Sequence, residues 1–192
     1  MVPNSSRWTR WNEFLCLKSK YKIIFNAQKL FHHLTHGLYL KDGFHGDCSK
    51  TFPVGNIDEE AKKLIQVTEE CLQIGIDVCK PGGLYHEIGF QIEAHAERNG
   101  FSIIPIFAGH GIGSYFHGPP DIYHVGNTYP GKMNPGVTFT IEPILSEGTS
   151  EVAILEDDWT AVSVDHSRSA QVEHTVLITE DGCEILTEND WT

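Results

Sequence analysis

The sequence predicts a mixed domain of helices and strands, α/β in content with segregated elements (α+β): a hairpin, two helices, then a series of short strands. Three observations predict it. Two stretches between residues 56 and 100 repeat apolar residues at the helical period. The runs after residue 101 read as strands divided by Gly, Pro and Asp turns. A chain of 192 residues with 40 % hydrophobic content makes one domain with a core of its own.

Taken in order, residues 38–40 and 44–54 are extended, joined at Lys41-Asp42-Gly43, whose Asp-Gly pair suits a hairpin turn. Asn56 with Glu59 marks a helix start, a cap with an acid three residues on. From there Ala61, Leu64, Ile65, Thr68, Leu72, Ile76 and Cys79 form one face, and Lys80-Pro81-Gly82-Gly83 stops the helix. A second helix turns Tyr85, Ile88, Ile92 and Ala96 inward and ends at Asn99-Gly100. Strands are expected at 101–107, 137–145, 151–156, 160–165 and 170–179. Segment 109–136, rich in Gly, Pro and His, reads as one long loop, a length usually reserved for function.

The net charge of −12 argues against nucleic acid as a partner, since phosphate contacts need surplus Lys and Arg. That charge is uneven. Residues 1–41 carry seven basic side chains and one acid, Glu13, whereas the rest carries seven basic and 25 acidic ones. The opening MVPNSSRWTRW is basic and acid-poor, weakly like a mitochondrial transit segment. No apolar run approaches the ~20 residues that cross a bilayer. Five cysteines without CxxC spacing fit reduced thiols better than a disulfide framework.

Three acids stand where buried strands should be apolar. Glu142 shares a face with Thr138 and Thr140, Glu173 shares one with Gln171 and Thr175, and Asp47 sits inside GFHGDCSKTF. A single Glu in a strand is more often salt-bridged or edge-exposed. Three acids with a histidine point instead to a divalent cation, because a buried carboxylate needs a counter-charge or a proton. The run AGHGIGSYFHGPP supplies His110 and His117 among glycines that let the backbone approach a ligand. His124, His166 and His174 read as surface or hydrogen-bonding residues.

GFHGDCSKTF, GHGIG with His117, FTIEPILSEG and WTAVSVDHSRSAQVEHTVLIT together resemble the type I methionine aminopeptidases, over about residues 41–187. GSYFHGPPDIYHVGN is most similar to the mitochondrial branch, and RSAQVEHT points away from prolidase-like relatives. The resemblance implies the pita-bread fold and removal of the initiator methionine from nascent polypeptide N-termini. It also implies a hydroxide activated by two divalent ions (Co, Mn, Fe or Zn), a monomer and a mitochondrial location, with a cytoplasmic one as alternative. Position by position, it makes Asp47, His110, Glu142 and Glu173 metal ligands and Glu142 the proton relay. His117 would bind the scissile carbonyl, and Phe116 and Trp159 would wall the methionine pocket. The four ligands are expected to converge, the two Glu on adjacent strands of one sheet.

The family's first Asp ligand lies eleven residues before the Asp47 position, and here that place holds His36. Upstream the resemblance ends. Residues 1–36 are therefore expected to be a poorly ordered segment foreign to the family. Residues 37–192 would form a partial metallopeptidase domain, with its C-terminal half complete and its N-terminal half largely missing. Two readings follow: a working aminopeptidase, or an impaired metal-binding chain acting as a non-catalytic interaction protein.

Overall fold

The computed structural model describes residues 31–39, 43–158 and 160–188. Strand β1 (Phe31–Tyr39) pairs antiparallel with β2 (His45–Pro53), with Phe31 opposite Pro53 and Tyr39 opposite His45. This strand begins at Phe31, inside the segment 1–36 expected to be foreign. Its run FHHLTHGLY has no clean apolar alternation, so periodicity alone does not mark it; backbone pairing with β2 does. The expected poor order of residues 1–30 and most of the Asp-Gly turn fall outside the described residues.

Helix α1 (Glu59–Asp77) starts one cap later than the sequence suggests. Asp58, not Asn56, is the N-cap, its Oδ1 accepting the Ala61 N–H at 2.8 Å, and Glu59 and Glu60 favour the first turn. Its buried face of Ala61, Leu64, Val67, Thr68, Cys71, Leu72 and Ile76 follows the expected spacing. Helix α2 (Tyr85–Arg98) buries Tyr85, Ile88, Ile92 and Ala96 and ends at Asn99, with Gly100 at a φ of 84°.

The strands that follow are β3 (Ser102–Ile103), β4 (Gly109–Gly111), β5 (Gly118–Ile122), β6 (Thr138–Ile141), β7 (Ile144–Ser146), β8 (Val152–Ile154), β9 (Ala161–Ser163), β10 (Ser169–Gln171), β11 (His174–Ile178) and β12 (Cys183–Ile185). Segment 109–136 is thus not one loop, because it contributes β4 and β5. Five strands form a sheet in the order β12-β11-β6-β4-β5, three form another in the order β10-β7-β3, and β8 pairs with β9. The helices cover these sheets, with Leu64, Ile88, Ile92, Phe139, Ile141 and Val176 in one apolar cluster. Phe139 meets Tyr85 edge-on at 5.6 Å.

The two long strands expected at 137–145 and 170–179 are each broken. Ile141 is the last β6 residue, opposite His174; Ile144 restarts the pairing, opposite Gln171. Both segments of the chain change sheet at this level, at Glu142-Pro143 and at Val172-Glu173. Pro143 has no N–H to continue a ladder. The two glutamates therefore sit where strands pass between sheets, not within adjacent strands of one sheet as expected.

Candidate metal centre

Strand β2 reaches the break by an antiparallel seam made partly of hydroxyls. Asp47 N–H donates to Thr175 Oγ1 at 2.9 Å, and that hydroxyl donates to the Asp47 carbonyl at 2.7 Å. Ser49 and Glu173 exchange backbone bonds of 3.2 and 2.9 Å. Thr51 Oγ1 donates to the Gln171 carbonyl at 2.7 Å and accepts the Gln171 N–H at 3.1 Å. The seam sets Asp47 and Glu173 beside one another. Just before β10, Arg168 donates to Glu147 Oε2 at 2.6 Å and to both Asp58 oxygens at 2.7 and 3.1 Å.

Opposite them, β4 presents His110, whose N–H donates to Thr140 Oγ1 at 3.0 Å. The Thr140 hydroxyl donates onward to Glu142 Oε1 at 2.9 Å, and Gln171 Nε2 donates to Glu142 Oε2 at 3.2 Å. The His110 ring uses Nδ1 on the Gly111 carbonyl at 3.2 Å, which leaves Nε2 facing Glu142 Oε1 at 3.8 Å. Asp47, His110 and Glu173 each bring a ligand atom within 4.8 Å of the others, at 4, 9 and 2 % exposure. Glu142 lies beside this group of three, its Oε1 3.8 Å from His110 Nε2.

Burial dominates the electrostatics. It pushes Asp47 up to about 7 and, with help from the Asp47 charge, Glu142 up to about 8. Glu173 is raised well above the usual carboxylate range by burial, then by Glu142 and Asp47. Burial pushes His110 down to about 4, so the ring is neutral and its Nε2 lone pair is available. Asp47 Oδ1 is buried with no hydrogen-bond partner. Crowded carboxylates, a neutral imidazole and an orphaned oxygen make a donor set that fits a divalent cation.

His117 stands beside this group, its ring 4.2 Å from that of His110, and is itself exposed. Phe116 packs at 5.8 Å on His110 and 5.6 Å on His45. His45, whose Nδ1 lies 3.0 Å from the Gly113 carbonyl, escaped the sequence reading, although it stands two residues from Asp47. Trp159 lies outside the described residues, as does the side chain of His36; the β1 backbone sets His36 opposite Cys48 and Gly37 opposite Asp47. Of the two readings given for His124, surface or hydrogen-bonding, the structure shows the second: it is 2 % exposed and accepts the Glu142 N–H.

The profile of Metallopeptidase family M24 matches residues 31–180. The chain belongs to this family. Within it, the chain is 54 % identical over 147 residues to a protein named methionine aminopeptidase A of Synechocystis sp., covering 76 % of this chain and 58 % of that protein. It is 52 % identical to human methionine aminopeptidase 1D, mitochondrial, over 77 % of this chain and 44 % of the relative. The solved methionine aminopeptidase of Thermotoga maritima superposes with a TM-score of 0.79 at 41 % identity, over 83 % of this chain and 64 % of that one. The M24 chain described here thus has the pita-bread fold and spans about half the length of the curated relatives it matches.

Proposed function

We propose that this chain is the metal-binding part of an aminopeptidase that removes the initiator methionine from nascent polypeptides, with Asp47, His110, Glu142 and Glu173 holding two divalent ions. The observation that carries the reading is the buried convergence of Asp47, His110 and Glu173 around an unpartnered Asp47 oxygen. Bound there, divalent ions supply Lewis acidity and activate water near neutral pH. Glu142 is placed to take a proton and deliver it to the leaving amine from Oε1 or Oε2, held in aim by Thr140 and Gln171. His117 is exposed beside the ligands, where its ring can donate to the substrate carbonyl. Phe116 offers one apolar wall to an unbranched side chain, and Trp159 is proposed as another.

The test is metal content per chain together with methionine release from Met-Ala and Met-Gly peptides. Two ions and release of methionine are expected from an active centre; a chain that binds no divalent ion would sink the reading. A second reading, an impaired metal-binding chain, draws on His36 at the first Asp position. One imidazole lacks the charge and second oxygen of a carboxylate. Metal binding without methionine release, gained on His36→Asp, would favour it. A mitochondrial location is proposed on the likeness of GSYFHGPPDIYHVGN and the mitochondrial human relative, testable by locating a tagged chain. It is proposed to act as a monomer, testable by light scattering.

A further inference from the structure

We infer that His124 is a positioning residue for the metal centre, fixing the main chain at Glu142 while the loop that carries it is seated on helix α2. The inference rests on the metal-binding reading above. Its starting point is the strand break. Paired residues end at Ile141 and resume at Ile144, so the Glu142 N–H has no partner in either sheet ladder. His124 Nε2 accepts that N–H at 3.0 Å, while the ring also bonds the Phe107 carbonyl. With both ring nitrogens committed and 2 % exposure, the imidazole has one orientation.

What holds the imidazole is the seat of its loop on α2. A Cβ at Gly89 would lie 2.1 Å from the Val125 carbonyl oxygen and 2.7 Å from that of Tyr123, the residues on either side of His124. Both contacts are to backbone, so only glycine admits the loop at this height. Glu93 Oε2 accepts the Gly126 N–H at 2.8 Å, and Asn127 Nδ2 donates to the Val125 carbonyl at 2.8 Å. A path of direct contacts therefore runs from α2 through residues 123–127 and His124 to the Glu142 backbone. Thr140 and Gln171 aim the Glu142 carboxylate from its other end. The carboxylate is thus fixed at both ends before any ion arrives, which lowers the ordering needed on binding.

Three variants of the whole chain test this. His124→Leu fills the space without an acceptor. His124→Gln places an amide oxygen near the lost Nε2. Gly89→Ala keeps the imidazole and lifts its seat. Co(II) affinity by calorimetry, the visible Co(II) spectrum, and the metal-free thermal midpoint are measured for each. We expect His124→Leu and Gly89→Ala to weaken Co(II) binding by about 10–100-fold and to alter the spectrum, and His124→Gln to recover most of both. A lowered midpoint with unchanged affinity and spectrum would make His124 merely structural and overturn the inference. Should His124→Leu not fold, Gly89→Ala decides alone on the same readouts. A native chain that binds no Co(II) defeats the metal reading and this inference together; a native chain that binds while the variants match it defeats this inference only.

Discussion

A buried carboxylate oxygen without a partner must hold a proton or await a cation, and Asp47 is in that position. Near pH 8, above its raised pKa of about 7, the group is charged at an energetic loss in the metal-free chain. Asp47→Asn should therefore raise the metal-free thermal midpoint at pH 8 and abolish the extra stability given by divalent metal. A lowered midpoint at that pH would contradict the account. His117 makes a different prediction, because it stands beside the ligands without being buried among them. In a chain that releases methionine, His117→Ala should cut kcat by ~10²-fold while metal content stays near native. Loss of metal would make it a ligand instead. Asp47, His110, Glu142 and Glu173 stood out in the sequence because acids and a glycine-flanked histidine break the apolar pattern of a buried sheet, and the structure sets Asp47, His110 and Glu173 together. For His124 the sequence left surface and hydrogen-bonding open, because a histidine in a loop looks the same whether its ring faces water or a backbone N–H.

The helices were legible almost to the residue, since one-face periodicity and the Asn99-Gly100 stop are local signals. The N-cap was misplaced because Asp58 and Asn56 both suit the role; Asp58 takes it, accepting the Ala61 N–H while Arg168, far along the chain, also bonds its carboxylate. The strand breaks were not legible. Pro143 forbids a ladder bond, but where a chain passes between sheets depends on its neighbours. The β2 seam shows the same dependence. Thr175 replaces a ladder partner for Asp47, accepting its N–H and donating to its carbonyl through one hydroxyl. Thr175→Val keeps the shape and leaves both backbone groups buried and unpaired, at about 1–3 kcal/mol for such a group. The variant should lose stability of that order by denaturant unfolding and bind metal more weakly. A loss within error would show that β2 is held by its backbone bonds alone.

At the scale of the molecule, three of the acids, Asp47, Glu142 and Glu173, share one largely buried cluster, and this ties stability to pH. Asp47, Glu142 and Glu173 have folded pKa values above their usual ones, so the stability they contribute is full below about pH 4. It is lost as pH rises through about 7 for Asp47 and about 8 for Glu142, and higher for Glu173. Buried His110 and His124, both lowered to about 4, act in the opposite sense: their contribution is present above 6.5 and lost as pH falls toward 4. Below 6.5 the two sets offset one another; above it the carboxylate loss stands alone. A divalent ion replaces the protons these oxygens would hold, so its effect must grow where protons leave. The metal-free chain in EDTA should therefore lose thermal midpoint steadily from pH 6.5 to 8, while Co(II) flattens that slope and stabilises far more at pH 8 than at pH 5. Equal metal stabilisation at pH 5 and pH 8 would mean that the ion does not compete with protons for these carboxylates, and that it binds elsewhere on the chain.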